Sequence, residues 1–302
     1  MPSARTATVD SFDGSTATAE EVVSSLARNG GCFLRGFVDR KNLDTMIKEV
    51  QPHVDADVPW EGKFFPKETR RVNGLPTKSP TYTEIVLANP LFVEVSKRLL
   101  TTKTSSWLGA TEEHYVSLPQ LNSTSVLAIG PGAAAQSLHR DDILHHTRLP
   151  QITADQYTMD RDTALGIFLA ASRTTVANGA TRFIPGSHLD DSADGPGNED
   201  DAVFAEMDPG DVFLMLASCF HGGSANTTTD ETRMLFASFM CRGYLRQEEN
   251  QFLANPIEAV KKMPEHIQRM IGYSVSNPYC GWVDLKDPIT FVKDVKVGYT
   301  DL

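Results

Sequence analysis

No run of apolar residues in this 302-residue chain reaches the roughly 18 needed to span a bilayer. The opening Met-Pro-Ser-Ala-Arg-Thr-Ala-Thr has no apolar segment of the kind a secretory signal needs, so a cytoplasmic protein without a membrane partner is expected. Basic residues are few: 28 Lys and Arg stand against 39 Asp and Glu, for a net charge of −11 and a pI near 5.2. That balance argues against a nucleic-acid partner, whose footprint should be basic, and favours small-molecule chemistry. Cysteine is scarce too. Cys32, Cys219, Cys241 and Cys280 lack the close pairing of a zinc knuckle or a redox motif, and read as buried small hydrophobes in a reducing compartment. There is no internal repeat, no low-complexity tract and no clean linker, so one domain over 1–302 is the simplest organisation, with 1–17 flexible.

A 40% hydrophobic fraction is enough for a substantial core. Thr18 caps a helix with Glu20 and Glu21 in its first turn and Asn29-Gly30-Gly31 as its stop. Cys32–Phe37 reads as a strand, Asp39 as the cap of a second helix, and Pro90 as the start of a third. Residues 52–80 look irregular, broken by Pro59, Pro66, Pro76 and Pro80, with Trp60, Phe64 and Phe65 embedded to cover a core or line a pocket. Trp107–Ala110 and Glu113–Val116 are possible strands. Strand-like segments then dominate at 125–129, 136–141, 164–170, 181–184, 211–216 and 233–242, separated by Gly and Pro turns. This succession suggests a mainly β fold with flanking helices: a double-sheet jelly roll of cupin type, its barrel at about 107–245, the helix-rich first part outside it. The tail ends in 291–297 as irregular chain.

The chemistry concentrates at His139 and Asp141. Two apart on a strand, they point an imidazole and a carboxylate the same way. The hydrophobic run Val212–Phe220 ends in His221-Gly222-Gly223, where a histidine leaves a buried strand into glycines. Two histidines and one carboxylate form the facial triad of non-haem Fe(II) oxygenases. A surface strand that merely carries His139 and acids is the bland alternative. Arg233 opens another apolar strand, and its guanidinium is costly there unless an anion meets it. A dicarboxylate such as 2-oxoglutarate would chelate iron and place its far carboxylate on Arg233; an edge salt bridge to Asp230 or Glu231 is the competing use. Gln136 is either a co-substrate contact or a solvent-facing turn residue, and Ser172 and Thr175 are co-substrate hydroxyls or loop residues. Phe64, Phe65, Tyr115, Leu127, Ile143, Phe220 and Tyr244 form a candidate apolar wall for a polycyclic substrate. Strand alternation would place Cys219 on the face of His221, near iron.

Asn29-Gly-Gly-Cys-Phe-Leu-Arg-Gly-Phe37, Gln136-Ser-Leu-His-Arg-Asp-Asp142, Asn178-Gly-Ala-Thr-Arg-Phe-Ile-Pro-Gly-Ser-His188, Met207-Asp-Pro-Gly-Asp211, His221-Gly-Gly and Arg233 follow one another in a known order. Together they resemble the phytanoyl-CoA dioxygenase (PhyH) family, in particular fungal members that modify alkaloid and meroterpenoid natural products. The resemblance implies Fe(II) on His139, Asp141 and His221, 2-oxoglutarate and O2 as co-substrates, and Arg233 as the co-substrate anchor. It also implies co-substrate contacts from Gln136 and Ser172, and a homodimer. Retention of Asp141 points to hydroxylation, desaturation, rearrangement or endoperoxidation rather than halogenation. Rival readings are an acyl-CoA hydroxylase of the same family, for which Lys97, Arg98 and Lys103 offer a basic patch, and a non-catalytic or isomerase metal barrel of cupin type.

Overall fold

The computed structural model describes residues 9–62, 64–193 and 195–295. Two short strands open it, β1 (Ser11–Asp13) and β2 (Gly31–Arg35), followed by β3 (Thr69–Asn73). An exposed ribbon, β4 (Thr102–Leu108) and β5 (Thr111–Ser117), precedes the long β6 (Gln120–Ile129). Then come β7 (Ala164–Ala170), β8 (Thr181–Phe183), β9 (Val203–Ala205) and β10 (Val212–Leu216). The last two are β11 (His221–Gly223) and β12 (Arg233–Cys241).

These strands make a seven-stranded sheet in the order β1-β2-β10-β7-β12-β6-β3, a three-stranded sheet β11-β8-β9, and the separate β4-β5 ribbon. The jelly-roll expectation is therefore corrected. The fold is mixed α/β with several sheets, none closed into a barrel. Two physical reasons account for the difference. The first third of the chain does more than supply external helices, because β1, β2 and β3 extend the main sheet at both ends. The second sheet has strands of only three residues, too short to close against seven.

Local signals place the helices. Thr18 and Glu21 form a reciprocal capping box at helix Ala19–Asn29, and Gly30 ends it in the left-handed region. Asp39 caps helix Arg40–Ala56, and Asn89 caps helix Pro90–Leu100. Alternation along β12 sends Phe236 and Ser238 to the helical side, where Tyr82 stacks on Phe236 with ring centroids 5.0 Å apart and its hydroxyl lies 2.8 Å from Ser238 Oγ. Arg233, Leu235, Ala237 and Phe239 face the other way. The stretch expected to be irregular over 52–80 contains β3, whose polar Thr-Arg-Arg-Val-Asn pairs as an edge against β6. Ser11–Asp13 pair with β2, while residues 1–8, and 296 and 297 of the expected irregular tail, lie outside the described residues. Cys32, Cys219 and Cys241 are buried as expected; Cys280 is exposed.

Candidate active site

The run Val212–Phe220 is not one strand. β10 ends at Leu216, a turn crosses between sheets, and β11 begins at His221. That crossing builds the site. The carbonyl of Ala217 in the turn accepts from the amides of Asp141 at 2.9 Å and Asp142 at 3.2 Å. His139 and His221 exchange both backbone hydrogen bonds, at 2.8 and 2.9 Å, as an isolated antiparallel bridge, and Gln136 N donates to Gly223 O at 2.9 Å. Segment 136–141 is thus an extended chain held by His221 and Gly223 of β11 rather than the strand expected. Asp141 already begins a 3-10 turn, Asp141–His145. The glycines after His221 permit this approach: a Cβ on Gly222 would meet the carbonyl oxygens of Gln136 and Ser137 at 3.1 Å.

Asp141 links the two rings, with His139 Nε2 3.5 Å from Oδ1 and His221 Nε2 3.2 Å from Oδ2. One donor atom from each of the three lies within 4.8 Å of the others. Ligands about 2.1 Å from a common ion at right angles lie about 3 Å apart, so the set fits one metal after small adjustments. His139 Nδ1 lies 2.8 Å from Ser137 O and His221 Nδ1 3.2 Å from Cys219 O. A ring that donates from Nδ1 to such a carbonyl leaves Nε2, beside Asp141, as the atom that would ligate a metal. Burial lowers the pKa of His139, with His221 adding to the effect. Burial alone would do the same to His221, but the Asp141 carboxylate outweighs it and holds His221 above its ordinary value. Burial opposes ionisation of Asp141, and the two imidazoles overcome it, so the carboxylate form is kept.

The triad opens into a cleft that also takes in Phe64, Phe65, Leu127, Phe168, Gln136 and Arg233. Arg233 is 2% exposed, and its Nε and Nη1 have no hydrogen-bond partner. Among the described residues it forms no salt bridge with Asp230 or Glu231; Glu231 instead accepts from Asn178 at 2.9 Å. Burial pulls its pKa down to about 10. A buried, unpaired guanidinium facing a cleft with a metal triad matches the donor an incoming carboxylate needs. Gln136 lines the same cleft and accepts from Gly223 N through Oε1 at 3.1 Å.

The structure gathers Phe64, Phe65 and Leu127 at the cleft, the Phe64 ring lying 5.8 Å from that of His139. It does not bring in the remaining wall candidates. Tyr115 sits on the exposed ribbon beside Tyr279, while Ile143 and Tyr244 are 73% and 48% exposed outside the lining. Phe220 lies beneath Arg140, whose guanidinium is 4.2 Å from its ring centre. Cys219 does not share the face of His221, because the turn before β11 breaks the alternation; its sulfur lies against Gly30 instead. Ser172 Oγ accepts from Met234 N at 2.8 Å, bracing the residue after Arg233 from outside the cleft, and Thr175 Oγ1 accepts from Asn178 N at 3.3 Å in a turn. The cleft also takes in Ser123, Ser125, Phe168, Leu235, Phe239 and Glu248, none of them among the candidates the sequence offers. A signal existed for most of them: once Arg233 and Leu127 face inwards, period two selects Leu235, Ala237 and Phe239, and Ser123 and Ser125.

Comparison with known proteins agrees with this chemistry. The phytanoyl-CoA dioxygenase (PhyH) profile matches residues 26–235. The dioxygenase himG of Aspergillus japonicus is 38% identical over 286 residues, covering 92% of this chain and 88% of its own. The dioxygenase peniF of Penicillium patulum is 41% identical over 274 residues, covering 90% and 88%. Among solved structures, the non-haem alpha-ketoglutarate-dependent epimerase SnoN from nogalamycin biosynthesis superposes with a TM-score of 0.55 at 19% identity, covering 78% of this chain and 88% of that one. SnoN has also been solved with Fe3+, alpha-ketoglutarate and nogalamycin RO.

Proposed function

The chain belongs to the phytanoyl-CoA dioxygenase family, and from that premise we propose that it oxidises a C–H bond of an apolar, polycyclic natural product of the alkaloid or meroterpenoid kind in fungal secondary metabolism. It is an Fe(II)- and 2-oxoglutarate-dependent dioxygenase, with His139, Asp141 and His221 as its facial triad. Bound there, iron with 2-oxoglutarate and O2 supplies oxidative decarboxylation to succinate and CO2, coupled to oxidation of the substrate. The protein's own part is to hold, orient and exclude water.

Arg233 is the observation that carries the co-substrate assignment. Its unpartnered Nε and Nη1 take the far carboxylate of 2-oxoglutarate, which supplies the missing anion in a site where a lone charge is costly. Gln136 has its Oε1 engaged by Gly223, and its amide nitrogen, with no partner among the described residues, donates to the co-substrate. Ser172 acts one step back, by fixing the backbone beside Arg233; Thr175 keeps its turn and reaches the co-substrate only through that loop. The aromatic pair Phe64 and Phe65, packed edge-to-face at 4.8 Å, covers the substrate and keeps bulk water from the metal. Because Asp141 fills the carboxylate position, the outcome is hydroxylation, desaturation, rearrangement or endoperoxidation rather than halogen transfer.

An acyl-CoA substrate is less well supported. Lys97, Arg98 and Lys103 line a separate depression that shares no residue with the cleft. A cupin-type isomerase that uses no keto acid, or a non-catalytic metal protein, likewise has no use for an unpaired Arg233 beside the triad. Among the described residues no helix is long and apolar enough to cross a membrane. Four cysteines without a disulfide support a cytoplasmic setting. The exposed ribbon, with Trp107 at 68% exposure, supports a homodimer. The function is tested by an oxygen-consumption and succinate screen over polycyclic amines, indoles and terpenoid phenols. Substrate-stimulated succinate formation from one of these classes is expected, and stimulation by acyl-CoA alone would overturn the substrate assignment.

A further inference from the structure

We infer that Glu248 selects the substrate of this cleft, its carboxylate pairing with a cationic nitrogen on an otherwise apolar ring system. The inference rests on the reading of the cleft as the dioxygenase site. Once the triad and Arg233 are assigned, Glu248 is the one ionisable residue left among the described residues of the lining.

Its position separates it from the co-substrate. In the β6–β12 register Arg233 lies opposite Ile129, whereas Phe239 lies opposite Ser123, the residue whose hydroxyl donates to Glu248 Oε2 at 2.7 Å. Six residues of strand at roughly 3.3 Å each put these two ends about 20 Å apart. One end of the cleft therefore offers a guanidinium to a dicarboxylate, and the far end offers a carboxylate. Glu248 repels 2-oxoglutarate and attracts the opposite charge.

The side chain is also built for presentation. Asn122 Oδ1 accepts from the Glu248 amide at 2.8 Å, and Asn122 Nδ2 and Ser123 Oγ hold Oε2 at 3.5 and 2.7 Å. Oε1 accepts no hydrogen bond from the described residues. The neighbouring Glu249 shows the contrast: it turns inwards and is consumed by Gly74, Thr124 and Gln251. Partial burial raises the pKa of Glu248, Ser123 opposes that, and the charges of Asp141 and Glu249 add to it. A carboxylate in that setting gains from a cation more than an exposed one does. The apolar neighbours Phe168, Leu127 and Phe239 supply the wall for the rings such a nitrogen would belong to.

The test compares three probes sharing one ring: tryptamine, tryptophol and indole-3-acetate. Their affinities are measured by calorimetry on the anaerobic Fe(II)·2-oxoglutarate enzyme, in wild type, E248Q and E112Q. E248Q keeps the Ser123 hydrogen bond, and Glu112 is an exposed acid on the ribbon, which controls for the protein's overall charge. Wild type and E112Q should bind tryptamine about tenfold or more tighter than tryptophol, with indole-3-acetate weakest. E248Q should bind the first two equally while keeping its melting temperature and its 2-oxoglutarate affinity. Undetectable or equal binding of tryptamine and tryptophol by wild type overturns the inference. So does a preference that persists in E248Q, is lost equally in E112Q, or disappears together with 2-oxoglutarate binding. Failure of wild type to bind 2-oxoglutarate at all would instead count against the dioxygenase site, and the probes can then be compared on the iron-free protein.

Discussion

Replacing Arg233 with Met should make the ligand-free protein more stable and nearly abolish its affinity for 2-oxoglutarate. Arg233 is 2% exposed and burial alone drags its pKa from 12.5 to about 10. At about 1.4 kcal/mol per tenfold, that fall corresponds to a cost of at most about 3.5 kcal/mol for keeping the charge where it is. Met has a flexible apolar side chain that packs beside Leu235 and Ile129 without that penalty. Scanning calorimetry of ligand-free R233M should show a melting temperature raised by a few degrees. Anaerobic titration should show a dissociation constant for 2-oxoglutarate about 100-fold higher, from loss of a charge-assisted, two-pronged contact. Iron affinity should hold, since Arg233 is not in the triad. A lowered melting temperature with unchanged 2-oxoglutarate affinity would refute the reasoning and make Arg233 a structural cation.

Two further predictions concern the scaffold. Thr18→Ala removes one half of the capping box on helix Ala19–Asn29 and should cost about 1 kcal/mol in chemical denaturation without altering iron binding; a change below a few tenths would deny the box its role. Gly210→Ala should cost roughly 2 kcal/mol or more, because Gly210 has φ +95° and its added Cβ would lie 2.3 Å from Val38 O; a variant as stable as wild type would show that the Asp208–Asp211 turn readily finds another path.

The site was more legible in the sequence than the frame that holds it. His139, Asp141 and His221 stand out because a facial metal triad demands those side chains whatever the backbone does, and Arg233 because a guanidinium on an apolar strand calls for an anion. The frame failed at crossings. A strand ending at Leu216 is legible, but the apolar run continues to Phe220, and no local property marks the turn at Ala217 as the place where the chain changes sheets. That turn also fixes Asp141, so the same blind spot made segment 136–141 look like a regular strand. Likewise β1, β2 and β3 are joined to the main sheet by pairings distant in sequence, which periodicity does not record, and the jelly-roll reading fell with them. Wall residues followed the same division. Phe64, Phe65 and Leu127 reach the cleft, whereas Tyr115 and Tyr244 were chosen for chemical type and went elsewhere with their backbone. Glu248 is hidden in an acidic turn, where it and Glu249 look equivalent until their hydrogen bonds are seen.

The most direct measurement of the central claim is an anaerobic titration of the metal-free protein with Fe(II) and then 2-oxoglutarate, followed by visible absorption. One equivalent of each should produce the weak charge-transfer band of a keto acid chelated to ferrous iron, and H139A, D141A and H221A, still folded by circular dichroism, should not form it. A folded wild type with no band, or a triad variant that retains it, would contradict the account.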